Sequence, residues 1–139
     1  MNVIRRYALI VAFGAAIALP TAASADDNLL LSEMMLVNKA YRDIVSGVAI
    51  ESSPDVIKAI EGLHGSKAVE AAHDALKAGK IKTPKNPGKM KEFERMDKEF
   101  HKNLDSLLDA AKANKQPQMR SLTKKLLDGC IKCHQTFRR

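Results

Sequence analysis

From residue 26 to the C-terminus, apolar side chains recur every three or four positions, and proline stands only between those runs. That period matches the helical repeat and not the two-residue alternation of a half-buried strand. The first run carries Leu30, Met34, Val37, Tyr41, Ile44 and Val48 and predicts a helix from about Asn28 to Ile50. A second, less regular run (Ile57, Ile60, Leu63, Val69, Ala72, Ala75, Leu76) predicts a helix from Pro54 to about Ala78, with Gly62 and Gly65 marking a kink or a break into two helices. Phe93, Met96, Phe100, Leu104, Leu107 and Ala111 define a third over about Lys89–Asn114. Met119, Leu122, Leu126, Cys133 and Phe137, with Leu127 and Cys130 alongside, define a fourth over Pro117–Phe137. Helices of this size are roughly 30 to 40 Å long. Joined by short connections, they predict an all-α, antiparallel, up-down-up-down four-helix bundle.

The boundaries carry their own chemistry. Ser53 is suited to cap the second helix, with Pro54 at its first position and Asp55 in its first turn. Gly79 closes that helix, and Pro117 opens the last. Lys80 to Gly88, with Pro84, Pro87 and several lysines, reads as an exposed loop.

Residues 1–25 have a different character. Arg5 and Arg6 precede an uncharged apolar stretch from Tyr7 to Leu19, Pro20 ends it, and Ala23-Ser24-Ala25 offers the small-x-small pattern cut by signal peptidase. The apolar stretch is short for a bilayer span, so a cleaved secretory signal peptide is expected, with export to an oxidising compartment and no membrane anchor afterwards. One domain then spans residues 26–139. It carries 21 basic and 16 acidic side chains, a net charge of +5. The two signs are interspersed and no aromatics interleave with a basic patch, which argues against a nucleic-acid partner. A modest basic excess suits acidic protein partners, although a solvated surface has the same composition. Without the signal the chain keeps only Tyr41, Phe93, Phe100 and Phe137 as aromatics, so a large apolar cofactor would complete a thin core.

The two cysteines fall in Cys130-Ile131-Lys132-Cys133-His134, the C-x-x-C-H pattern of covalent haem attachment. On a helix, positions i and i+3 project from nearly one face, so both thiols reach the vinyl groups of one haem, and the adjacent His134 supplies an axial imidazole. A thioredoxin-like dithiol would need strands nearby, and a zinc site would need a second ligand pair. His64, His73 and His101 are scattered along the chain. His101, which shares a helix face with Glu94, Lys98 and Asp105, is expected to point to solvent, and His64 and His73 to be surface or locally hydrogen-bonded residues.

The motif lies on the last helix, six residues from the C-terminus, and continues as Cys-His-Gln-Thr-Phe-Arg. Here the chain resembles the class II c-type cytochromes, the cytochrome c-prime family. Phe137 and Arg138 match the C-H-x-x-F-R ending of that family, and Phe100, Leu107, Ala110 and Ala111 match its third-helix pattern. The resemblance implies a periplasmic four-helix bundle with one covalent haem c. It departs where members often carry a bulky aromatic before the third helix, since only Phe93 stands near there. The resemblance also implies two answers for the iron face opposite His134. A Met from the first helix gives a low-spin carrier of single electrons. An apolar residue leaves five-coordinate iron open to nitric oxide or carbon monoxide.

Met34 shares the inner stripe of the first helix, whereas Met35 lies about 100° round beside Asn38 and Arg42. Periodicity favours Met34 as ligand and keeps Met35 as the alternative; both would also serve as packing residues. Lys132, Arg138 and Arg139 stand near the motif, suited to a haem propionate or an acidic partner and equally to the C-terminal helix dipole. The expected activity is electron transfer to redox partner proteins, not enzymatic turnover. Family members often pair through their first two helices, which leaves a homodimer open, with the interrupted second stripe counting against it.

Overall fold

The structure, a computed structural model, describes residues 25–138, with side chains from Leu29 onward. The expected signal segment up to residue 24 and the Arg139 side chain lie outside the described residues. The described chain is all-helical: α1 (Ala25–Ala49), α2 (Ser53–His64), α3 (Lys67–Lys77), a 3-10 turn (Pro87–Lys89), α4 (Met90–Lys112) and α5 (Gln116–Phe137). α1 packs against α2 and α3, α2 against α4, α4 against α5, and α5 returns to α1. No helix among the described residues is long and apolar enough to cross a membrane.

The expected second helix is two helices, which makes five in place of four. The ladder stops where Gly65 N–H bonds to the Glu61 carbonyl and Ser66 N–H to that of Leu63. Ser66 is extended, and Lys67 begins the next helix. Glycine at the junction lowers the cost of leaving the helix. Ser53 is also not the cap: Ser52 holds that position, and the Ser53 hydroxyl donates to Asn114 Oδ1 at 2.7 Å. That bond ties the start of α2 to the turn between α4 and α5.

Three helix ends share one device. Residues Glu51, Gly79 and Asn114 have positive φ, and the two N–H groups at each end return to carbonyls of the last turn. This is the Schellman pattern, which satisfies carbonyls that helix geometry leaves without partners.

The core has two parts. One holds Val37, Ile44, Val56, Ile60, Leu104, Leu107, Met119 and Leu126. The other, at the far end of α5, holds Ala72, Ala75, Leu76, Ile81, Phe93, Met96 and Phe137, with Leu29, Leu30, Met90 and Cys133 packed against it. Phe93 and Phe137 meet edge to face at 5.4 Å, a preferred aromatic arrangement.

The segment between α3 and the 3-10 turn is a loop exposed at most of its positions, as expected, but it is anchored at two of them. Ile81 and Thr83 are buried. Lys85 N–H bonds to the Phe137 carbonyl, Lys85 Nζ to that of Gln135, Asn86 Nδ2 to that of Thr136, and Arg138 N–H to that of His134. All four terminal carbonyls of α5 are therefore satisfied. The segment clamps the end of the helix that carries both cysteines.

Candidate haem-attachment site

Cys130 and Cys133 lie one turn apart in the C-terminal half of α5, both as free, half-buried thiols. Cys133 joins the second core cluster with Leu29 and Leu30 of α1 and Phe93 of α4. Cys130 lies toward Tyr41 of α1, whose hydroxyl donates to the Thr123 carbonyl at 3.2 Å and whose pKa is raised by burial and then by Cys130. The two thiols thus face α1 and α4 from one side of α5.

Their ionisation argues against dithiol chemistry. Burial pushes the Cys133 thiol up to about 11, aided by Asp97 and Cys130, and burial raises Cys130 as well. Reactive C-x-x-C thiols have lowered pKa values, held down by a helix N-terminus or a cation. Here the motif occupies the last turns of α5, at the negative end of the helix dipole.

His134 is exposed, and what burial it has and the Arg138 charge lower its pKa, which favours the neutral imidazole. On the helical wheel it shares a flank of α5 with Leu127 and Ile131, next to Cys130. Leu127 and Ile131 are 42% and 46% exposed. Two thiols one turn apart and an adjacent imidazole on a neighbouring flank of the same helix are the donor set a covalent haem needs, so the residues present fit that group.

The two methionines of α1 separate cleanly. Met34 is half-buried and packs against the first core cluster, whereas Met35 is 65% exposed. The buried centre of α1 runs through Glu33, Val37, Ala40 and Ile44. Relative to the expected stripe the helix is therefore rotated away from Met35. Leu30, Met34 and Tyr41 share one flank, and Tyr41 shows that this flank looks toward α5.

Four residues that the sequence did not bring together meet beside this site. Glu33 of α1, His73 of α3, and Asp97 and His101 of α4 place ligating atoms within 4.8 Å of one another. His101 is not solvent-facing as its helix face suggested; the rings of His73 and His101 stand edge to face with centroids 4.7 Å apart. Glu33 is only 3% exposed, and burial and then the Asp97 charge push its carboxyl up to about 7. Burial lowers the pKa of His101 against the opposing pull of Asp97. The one available signal was the i,i+4 pairing of Asp97 with His101; nothing in α1 marked Glu33 as inward-facing. His64 is exposed, 3.7 Å from Asp105.

No protein-family model, curated protein or solved structure matches the chain.

Proposed function

We propose that this protein is a periplasmic c-type cytochrome that carries single electrons. The observation that carries the reading is the pair of free thiols at i and i+3 on α5, followed by the His134 imidazole and flanked by exposed apolar side chains. Cys130 and Cys133 would hold one haem c through thioethers, and His134 would supply an axial nitrogen. The haem would supply a one-electron couple. The protein's own part would be to keep that couple in the apolar surroundings that Leu30, Phe93 and Phe137 make around Cys133, and to hold its donors so that little moves on transfer. In this reading α2 and α3 together act as the second helix of an up-down-up-down four-helix bundle, in the manner of the cytochrome c-prime family.

Met34 would be the preferred second iron donor, because it shares the flank of α1 that faces α5; Met35 points away. Thioether ligation together with apolar burial favours the ferrous state. Lys132 and Arg138 are exposed near the motif and suit an acidic redox partner.

A second reading has its own observation. Leu30, not Met34, packs in the cluster that contains Cys133. With Leu30 over the iron, five-coordinate haem would bind nitric oxide or carbon monoxide. Absorption spectra of the exported protein in both oxidation states separate the two. Low-spin ferrous haem indifferent to carbon monoxide supports the carrier; high-spin haem that takes up carbon monoxide supports the gas binder.

A further inference from the structure

We infer that Glu33, His73, Asp97 and His101 form a second site, distinct from the cysteine motif, that binds one divalent transition-metal ion. His73 Nε2 lies 3.0 Å from Glu33 Oε1 and 3.1 Å from His101 Nε2. Asp97 Oδ1 lies 3.6 Å from His101 Nε2, and Asp97 Oδ2 lies 4.0 Å from His73 Nε2. Four donors bound tetrahedrally at about 2.0–2.2 Å are separated from each other by roughly 3.3–3.6 Å. The observed separations bracket that range, so small rotations of the side chains would close the shell.

The protein's own hydrogen bonding leaves this cluster incomplete. Glu33 is almost wholly buried, and its Oε1 accepts no hydrogen bond although His73 Nε2 is 3.0 Å away. A single Nε2 hydrogen on His73 cannot serve both Glu33 Oε1 and His101 Nε2, and if both rings present lone pairs, no hydrogen lies between them. Glu33 Oε1 is left without a donor, and the two facing imidazole nitrogens compete for one hydrogen. A cation answers both deficits, since buried charges are stable when paired or coordinated.

The donor set identifies the class of ion. Imidazole with carboxylate suits zinc, copper, iron or nickel, whereas calcium and magnesium prefer oxygen alone. The placement gives the ion a structural consequence: it would link α1, α3 and α4, and α3 is the short helix released by the break at Gly65.

The test uses zinc on the exported protein as purified, with its cysteine motif intact. Calorimetric titration should show zinc binding, and diffraction at the zinc edge should place one anomalous peak among Glu33, His73, Asp97 and His101. His73→Ala and His101→Ala should each weaken that binding by more than about 100-fold, since even loss of an outer partner costs roughly 10- to 100-fold. Zinc should raise the melting temperature of the wild type and of neither variant. A wild-type anomalous map with no peak at the cluster, or zinc found only at Cys130 and Cys133, overturns the inference whatever the variants do. Undiminished affinity in both folded variants overturns it as well.

Discussion

Truncating Met34 tests both the packing and the proposed ligation of α1. Burying and then deleting a methionine side chain in a core costs about 2–5 kcal/mol. Met34 is half-buried against the first core cluster, so Met34→Ala should cost about half that, ~1–2.5 kcal/mol. Met35→Ala removes a side chain that is 65% exposed and should stay within about 0.5 kcal/mol of wild type. Urea unfolding followed by far-ultraviolet circular dichroism measures both. The same two proteins, exported and haem-loaded, then report on coordination. Met34→Ala should turn ferric haem from low to high spin and open it to carbon monoxide, while Met35→Ala leaves the spectrum unchanged. A Met35→Ala protein with altered spin state would refute the placement of these side chains. A Met34→Ala protein destabilised as expected but spectrally unchanged would refute ligation alone and favour Leu30 over the iron.

Two glycines in helices should respond with opposite sign. A Cβ on Gly47 would meet Val56 Cγ2 at 2.9 Å and the Val56 backbone nitrogen at 3.2 Å; overpacking of about 1–3 kcal/mol should outweigh a helix-propensity gain of about 1 kcal/mol, so Gly47→Ala lowers the melting temperature. A Cβ on Gly62 meets nothing within 4 Å, and Gly62→Ala should stabilise by up to about 1 kcal/mol in the same thermal melt. Asn86 has φ 54° and donates to the Thr136 carbonyl at 2.7 Å. Asn86→Ala should lose about 1 kcal/mol for the bond and about 1–2 kcal/mol for the left-handed backbone, with faster hydrogen exchange in the last turn of α5, whereas Asn86→Gly should recover the backbone part.

Much of this architecture is legible in the chain because it is local. The apolar repeat in α4 and α5 marks Phe93, Leu104, Leu107, Met119, Leu126 and Phe137, and each is buried. Pro54 and Pro117 stand in the first turns of α2 and α5, and Gly79 sits in the left-handed turn after α3. What escaped the sequence depends on contacts between distant segments. Ile81 and Thr83 look like loop residues until the segment closes over the end of α5. Glu33 breaks the rule that charged side chains face water, and only the convergence of His73, Asp97 and His101 gives it a reason to turn inward. The rotation of α1 that buries Ala40 and Glu33 and leaves Met34 on the flank is likewise set by neighbours; a stripe drawn on one helix is accurate only to a fraction of a turn.

The reading as a cytochrome stands on covalent attachment, and the intact mass of the exported mature protein tests that most directly. The account predicts a single species heavier than the polypeptide by one haem, with the added mass abolished in Cys130→Ser/Cys133→Ser and its visible spectrum that of a haem bearing two thioethers. A mature chain of bare polypeptide mass with two titratable thiols, isolated from cells that mature other c-type cytochromes, would contradict it.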